Sequence, residues 1–452
     1  MIDLLERAAA GEPGSPAVVT HRGSWTYAEV LAAAHQVAAA LVERGITRFA
    51  VVEEDAARLV PLLAGAALAG AEPCQYQPDT DPAEFADHAG RLGHDVVVSR
   101  RTDLGAVVDP DELLAHVPGG EPVAAARSEQ QPLLIRTTGT TGAPKAARHD
   151  WRVLGGTVAN ARQRPGQRWL LAYGPHQMSG IQVLMHVLGT GATLVAPFPR
   201  QPRDGLAALL DPGVDCVSAT PTYWRFLLQE ARSRGVALPP LQQVTLGGEA
   251  VPPDLLATVR AAFPTARVSQ VYASTELGSV ASVTDGRPGI SVDRLHSDAN
   301  PDGTLRIVDG QLWVRSGVGM LGYVGEPDVD TEDGWRATGD LVEVVGDRIE
   351  FRGRDSEVIN VGGVKVHPLP VENRITAVPG VEAARVFGRA NRLTGAIVAT
   401  EIVAAPAADH DELKAAVRAA VEDLPRAWHP RSITFVAALE TKGDKTIRRI
   451  EG

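Results

Sequence analysis

Nine residues, Thr137-Thr138-Gly139-Thr140-Thr141-Gly142-Ala143-Pro144-Lys145, gather four hydroxyls, two glycines and a lysine directly after the apolar run Leu133-Leu134-Ile135. Glycines let a backbone turn tightly and bring its amide N–H groups up to a phosphate, while hydroxyls and a cation complete an anion cradle. The run is not a Walker loop: no Ser or Thr follows the lysine, and the spacing from the first glycine differs. Its position predicts a loop leaving a buried strand.

The rest of the chain must position that loop. At 452 residues it is too long for one ordinary core, so at least two domains are expected. A hydrophobic content of 44% with 22% charged residues is that of a globular protein. The formal charge of −11 argues against a nucleic-acid binder with a large basic face. Residues Arg354 to Gly452 hold 14 Lys/Arg and 13 Asp/Glu, so the acidity sits in the first 353 residues and a polyanionic ligand there needs local cations. Cys74 and Cys216 are far apart and lack metal-ligand spacing, which suits a reducing cytoplasm and argues against a nucleophilic thiol. Asp3, Glu6 and Arg7 interrupt the short apolar start, unlike a signal peptide, and no run reaches the roughly 18 apolar residues of a membrane helix.

Strand and helix signals alternate along the first part. Thr26-Tyr27-Ala28-Glu29 has capping-box spacing, and Val30, Val37, Leu41 and Val42 suit a helix that stops at Gly45. Short buried strands are expected at 192–196, 216–219, 243–246 and 268–271, with helices over 223–233 and 253–263. Such alternation predicts an α/β fold: a mostly parallel sheet with helices on both faces and ligand sites at the carboxyl ends of the strands. From about Ile307 glycines and aspartates break the chain into short segments, which predicts a β-rich subdomain. After the polar run Arg354-Asp355-Ser356-Glu357 comes a final block with its own strands and a helix over 411–421. The expected division is therefore 1–353 and 354–452.

An ordered set of motifs over nearly the whole chain resembles the adenylate-forming superfamily of acyl-CoA synthetases, nonribosomal adenylation domains and firefly luciferase. Thr137 to Lys145 resembles its phosphate loop and Trp25 to Glu29 its T-Y-x-E segment. Gly247-Gly248-Glu249-Ala250 resembles the G-G-E turn, and Tyr272-Ala273-Ser274-Thr275-Glu276 resembles Y-G-x-T-E with Ala for Gly. Thr338-Gly339-Asp340 resembles T-G-D. Gly353-Arg354 opens the hinge motif, Gly362-Gly363 and Pro368 continue it, and Thr441, Lys445 and Arg448 fall in register with the C-terminal motif.

The resemblance implies ATP- and Mg2+-dependent activation of a carboxylic acid as its acyl-adenylate, followed by transfer to the thiol of CoA. Negative charge spreads over phosphate oxygens in the first step, so fixed donors and cations carry most of the catalysis. By resemblance, Thr138, Gly139, Thr140, Thr141 and Gly142, with Thr137 and Lys145, hold the phosphates, and Glu276 is the Mg2+ carboxylate. Asp340 takes the ribose hydroxyls with Arg354 nearby. Gly248, Glu249, Ala250 and Tyr272, with Ala273, Ser274 and Thr275, flank the nucleotide. The acyl pocket is implied near Gly247 and Pro175-His176-Gln177-Met178-Ser179-Gly180. Aligning on Gly180 puts Gln177 at the family's histidine position with His176 one place early, so either is a pocket candidate. The Phe-Asp pair of α-amino-acid-activating relatives is absent, which favours a plain carboxylic acid. Gly362 and Gly363 are expected on the CoA route, Asp355 or Ser356 at the hinge of a rotating small domain, and Lys445 as the catalytic lysine.

Asp444 stands where the family has glycine, and an aspartate beside the lysine competes for its charge. Alternatives are therefore a ligase specialised for one half-reaction, one passing its adenylate to a carrier protein or an amine, and an inactive nucleotide-binding homologue with a regulatory role. The small-molecule acid and CoA are the expected partners, with neither nucleic acid nor membrane. The alanine- and arginine-rich composition points to a bacterium of high genomic GC content and a specialised pathway.

Overall fold

The computed structural model describes residues 1–116, 129–137, 145–196, 198–199, 201–210, 213–326, 332–439, 441–442 and 445–446. An eight-stranded sheet runs in the order Gly278–Val283, Arg267–Ser274, Gln243–Gly247, Cys216–Ala219, Arg168–Leu171, Thr193–Val195, Pro16–Thr20, Gly23–Thr26. Its six inner strands are parallel and its two edge strands antiparallel. A six-stranded sheet carries Glu72–Gln75, Arg48–Val52 and Val97–Ser99 in parallel with Pro132–Thr137, then Lys145–Asp150 and Gly322–Tyr323 antiparallel. The mostly parallel architecture expected from strand–helix alternation is thus present, in two sheets.

Helix Tyr27–Glu43 starts at Thr26, where the reciprocal capping box forms: the Thr26 hydroxyl accepts from the Glu29 amide and the Glu29 carboxylate accepts from the Thr26 amide. Val30, Val37 and Leu41 are buried, but Val42 is 52% exposed. One residue on from Leu41 is a rotation of about 100°, which carries Val42 off the apolar stripe. This helix packs against Ala56–Ala69 so closely that a Cβ at Gly65 would lie 2.6 Å from Val37 Cβ. Helix Pro221–Ser233 begins two residues before its expected start because Thr220 caps it and Pro221 is preorganised for the first turn.

The β-rich part is an antiparallel five-stranded sheet in the order Ile290–Ser291, Arg348–Arg354, Trp335–Val345, Gln311–Arg315, Leu305–Val308. It starts before the expected Ile307 because its edge strand is two residues long, too short to show a pattern. Residues beyond Arg354 build their own core around Ile359, Val366, Val371, Val386, Val398, Ile402 and Val417. There Gly395–Ala404 pairs with Val381–Asn391 and Ile359–Val361 antiparallel and with Ser432–Phe435 in parallel. Helix His410–Ala420 covers this sheet, capped by Asp409.

Because the Thr26 cap satisfies one orphan amide and anchors Glu29, Thr26→Ala should lower unfolding free energy by about 1 kcal/mol. Urea unfolding followed by circular dichroism measures this; an unchanged midpoint would mean that packing alone sets the start of the helix.

Candidate functional site

The carboxyl ends of the inner strands of the large sheet lead into Tyr173-Gly174-Pro175-His176, Thr220, Gly248-Glu249 and Thr275-Glu276. Parallel strands of one polarity therefore gather many of the candidate residues on one edge. Of the hydroxyl-rich loop, Thr138, Gly139, Thr140, Thr141 and Gly142 lie outside the described residues. Its ends are described: the loop is the connection of an antiparallel hairpin in which Thr137 faces Lys145. The Lys145 ammonium sits 2.7 Å from the Glu326 carboxylate and 5.0 Å from the centre of the Tyr323 ring.

Tyr323 connects that hairpin to Glu276, donating its hydroxyl to Glu276 Oε1 at 2.7 Å. No helix follows Glu276: the chain turns back into the edge strand Gly278–Val283. The turn is buttressed by the amide of Met320, which donates to the Glu276 carbonyl at 2.9 Å, and by Ser316, whose hydroxyl donates to the Leu277 carbonyl at 2.6 Å. Beneath it lies His149, fully buried. Burial pulls its pKa from the ordinary 6.5 down to about 4, and the Thr275 backbone and the Glu276 carboxylate offset only part of that.

Asp340 is shared. Tyr272 Oη donates to one of its oxygens at 2.6 Å, and Arg354 Nε lies 3.2 Å from the other. Asp340 and Arg354 are direct partners across two antiparallel strands, so backbone register alone brings the charges together. Thr338-Gly339-Asp340 is therefore part of a long strand, not a separate turn. The Thr338 hydroxyl accepts from the Asp340 amide at 2.9 Å. The Tyr272 ring packs against Phe351 with centroids 4.9 Å apart, and burial, then the Asp340 charge, push its hydroxyl pKa far up. Burial disfavours the Arg354 charge, but the carboxylates of Asp340, Glu276 and Glu357 outweigh it and raise the guanidinium pKa.

Gly247 and Gly248 end a parallel strand, with the Gly247 carbonyl accepting from Tyr173 Oη at 3.1 Å. Glu249 turns towards the start of helix Pro221–Ser233, where its carboxylate accepts from the amide and hydroxyl of Thr222 at 3.0 and 2.7 Å. Ala250 follows in the same partly buried turn, and Ala273 and Ser274 finish the neighbouring strand. His176 folds its ring over Gly174. Gln177 stands at the N-cap of helix Met178–Thr190 and donates its amide to the Gly174 carbonyl. A Cβ at Gly180 would run into that same carbonyl, so the loop and the helix need glycine there.

The remaining candidates follow Arg354 in the chain. Gly362 and Gly363 form the exposed tip of a hairpin, the Gly363 amide donating to Asn360 Oδ1. Asp355 and Ser356 lie in a single helical turn after Arg354. Lys445 lies in a two-residue strand pairing with Thr441–Lys442, its side chain and Asp444 being outside the described residues. Cys74 and Cys216 are buried and unpaired, with thiol pKa values raised by burial to about 12, which leaves them protonated and unreactive.

Tyr323, Glu326, Phe351 and Thr222 escaped the sequence reading. Tyr323 carried a faint signal, as the last tyrosine of the chain amid Gly317, Gly319, Gly322 and Gly325. The others gave none.

Residues 5–324 match the family described as AMP-binding enzyme, and residues 355–432 match the AMP-binding enzyme C-terminal domain. The chain belongs to the AMP-binding enzyme family. Its motif order had pointed to that family, within the adenylate-forming superfamily. It is 28% identical over 97% of its length to the isonitrile lipopeptide synthase of Streptomyces coeruleorubidus, of which it spans 32%. It is 27% identical over 95% of its length to the medium/long-chain-fatty-acid–[acyl-carrier-protein] ligase FadD10 of Mycobacterium tuberculosis, of which it spans 84%. Among solved structures it superposes with a TM-score of 0.80 on the o-succinylbenzoate CoA synthetase MenE of Bacillus subtilis in complex with its acyl-adenylate intermediate, at 21% identity, covering 98% of this chain and 96% of that one. Among the described residues no helix is long and apolar enough to cross a membrane.

His149 supplies a pH test. Its folded pKa is depressed, so its contribution to stability is complete above 6.5 and is lost as pH falls towards 4. His149→Gln should remove up to about 3 kcal/mol of that acid-side loss. Urea midpoints measured from pH 7 down to pH 4 should fall less steeply in the variant, and parallel slopes would show that His149 is not what protonates.

Proposed function

We propose that this AMP-binding enzyme uses ATP and Mg2+ to convert a carboxylic acid into its acyl-adenylate, then passes the acyl group to the thiol of CoA. The observation that carries the reading is Asp340, a carboxylate fixed between Tyr272 and Arg354, whose guanidinium also feels the charge of Glu276. In the first step a carboxylate oxygen of the acid bonds to the α-phosphorus and the bond to pyrophosphate breaks. In the second, the thiol sulfur takes the acyl carbon and AMP leaves with the bonding pair.

Asp340 would accept the ribose hydroxyls, with Arg354 and Tyr272 holding its orientation. Gly248, Glu249 and Ala250, with Tyr272 to Thr275, would flank the nucleotide. Thr137 to Gly142 and Lys145 would meet the phosphates, Lys145 exchanging Glu326 for a phosphate oxygen. Among the described residues no group of three His, Cys, Asp or Glu side chains forms a cage for a metal. That suits Mg2+, which is held by one or two carboxylates together with phosphate oxygens and water, and Glu276 would be its carboxylate. When bound, the ion would neutralise charge developing on the phosphates.

The large unit is taken as 1–353 and the small one as 354–452, turning about Asp355 and Ser356. One pose would bring Lys445 to the α-phosphate; the other would bring Gly362 and Gly363 alongside the pantetheine arm. His176, Gln177, Gly180 and Gly247 would border the acid. A carrier-protein thiol is the second reading for the acceptor, supported by the similarity to FadD10 across 84% of that ligase. The buried thiols suit a cytoplasmic setting.

Asp340→Ala should cost at least the roughly 1.5–3 kcal/mol of hydrogen bonds to a charged group, a tenfold or larger loss of ATP affinity by calorimetry. Unchanged affinity in a folded variant would remove Asp340 from the nucleotide site. Lys445→Ala should cut acid-dependent pyrophosphate release by about 10²–10³. It should leave transfer from supplied acyl-adenylate to CoA largely intact. Equal loss of both steps would sink the two-pose mechanism, and an absence of AMP and pyrophosphate from the native protein with a broad set of acids would favour the inactive homologue.

A further inference from the structure

The two faces of the large sheet differ in chemistry. Leu170, Val217, Val244 and Val268 point to one face, where they pack with Trp224, Leu227, Leu255 and Val259 of the two covering helices. Their neighbours Leu171, Ser218, Thr245 and Ser269 are direct partners across four adjacent parallel strands, so they share the opposite face. Leu171 packs there with Met178, Ile181 and Leu184 of helix Met178–Thr190. The row that begins with an apolar residue under this helix thus continues as three hydroxyls. Gln243 closes it from below, donating Nε2 to Thr245 Oγ1 at 3.1 Å and to Ser269 Oγ at 2.9 Å, and the two hydroxyls bond each other at 2.9 Å.

Helix Met178–Thr190 faces this row with a polar stripe of its own. Ser179, Gln182 and His186 are spaced three and four apart and so lie along one side. Both ends of the stripe are tied to the sheet. The His186 ring meets the Trp169 ring edge-on with centroids 4.7 Å apart, and Ser179 Oγ lies 4.0 Å from where a Cβ on Gly248 would stand. Gln182, between them, therefore faces the sheet as well. All three are partly exposed although Met178, Ile181, Met185 and Val187 around them are buried, as expected of side chains bordering a gap rather than a packed core. The seven steps of helix from Ser179 to His186 span about 10 Å. Burial lowers the His186 pKa, so its ring is neutral near pH 7 and offers one donor and one acceptor.

We infer that the acid activated here is a short one with a hydrogen-bonding group, a hydroxyl, amine or amide, at the end remote from its carboxylate. Gln182 and His186 recognise that group. The inference rests on the proposed adenylating function, which puts the acid beside Gly247, next to Gly248 at the top of this stripe. A bare alkyl chain would leave the amide of Gln182 and the ring of His186 desolvated without partners, and sites built to bond a polar substrate group discriminate strongly against analogues lacking it.

The test pairs para-hydroxybenzoate with benzoate, and omega-hydroxyhexanoate with hexanoate, in ATP–pyrophosphate exchange. At least one hydroxylated acid should exceed its unsubstituted partner tenfold or more in kcat/KM. Gln182→Leu with His186→Leu should abolish or reverse that ratio while ATP affinity stays unchanged. Equal or better use of both unsubstituted acids by the native enzyme overturns the inference. If no acid supports exchange, the proposed activity fails separately, and calorimetry of the same four acids with AMP present decides the pocket. Tighter binding of a hydroxylated acid upholds its polarity; tighter or equal binding of the plain acids, or binding of none, overturns it.

Discussion

Asp340 is where two sheets of the molecule meet. Its backbone belongs to the antiparallel sheet, the tyrosine on one of its oxygens comes from the large parallel sheet, and the arginine on the other is the last residue of its neighbouring strand. The register that pairs Asp340 with Arg354 fixes both the carboxylate and the point from which the C-terminal block departs. A displacement of the antiparallel sheet would therefore be felt at Tyr272 and at Asp355 together. On the proposed reading, the ribose site and the hinge are set by one pair of strands, which couples nucleotide binding to the start of any domain rotation without a separate linkage.

Electrostatics impose a second constraint. In a chain of net charge −11, the cations nearest the site are held by carboxylates, Lys145 by Glu326 and Arg354 by Asp340. Such pairs orient a long side chain at the cost of its free field. On the proposed reading a phosphate group must then compete with Glu326 for Lys145. The pair is half exposed, so the exchange is cheap; Asp340, with a side chain only 14% exposed, gives up its partner less readily. This difference suits the proposed roles, in which the lysine meets a departing pyrophosphate and the arginine stays with the nucleoside.

How much of this was legible in the sequence follows from where the signals reside. Local signals were readable: the capping box at Thr26, the parallel strands with their glycine-ended turns, and the glycine-rich shift in the second half. The motif order was enough to find the family. Errors arose where the determinant is not local. Val42 has the right residue type but the wrong helical phase, and the strand Ile290–Ser291 is too short to have a phase. Tyr323 pairs with Glu276 across 47 positions and Thr222 with Glu249 across 27. No pattern in either neighbourhood announces such a partner, because tertiary hydrogen bonds are set by where strands end.

The same sheet gives its two faces different chemistry on shared strands. Successive residues of a strand point to opposite faces, so Val217 and Ser218, Val244 and Thr245, and Val268 and Ser269 form adjacent pairs with opposite duties. The valines are locked in an apolar core under two helices, where any polar replacement would bury an unmet hydrogen bond. Across from them the Thr245 and Ser269 hydroxyls satisfy each other and the Gln243 amide, so they are stable without a ligand. On the inference drawn above, the choice of acid then lies with one residue in two along these strands and with one stripe of a single helix. The carboxyl ends, where Gly248, Glu249 and Glu276 sit, are held in place by the opposite, apolar face.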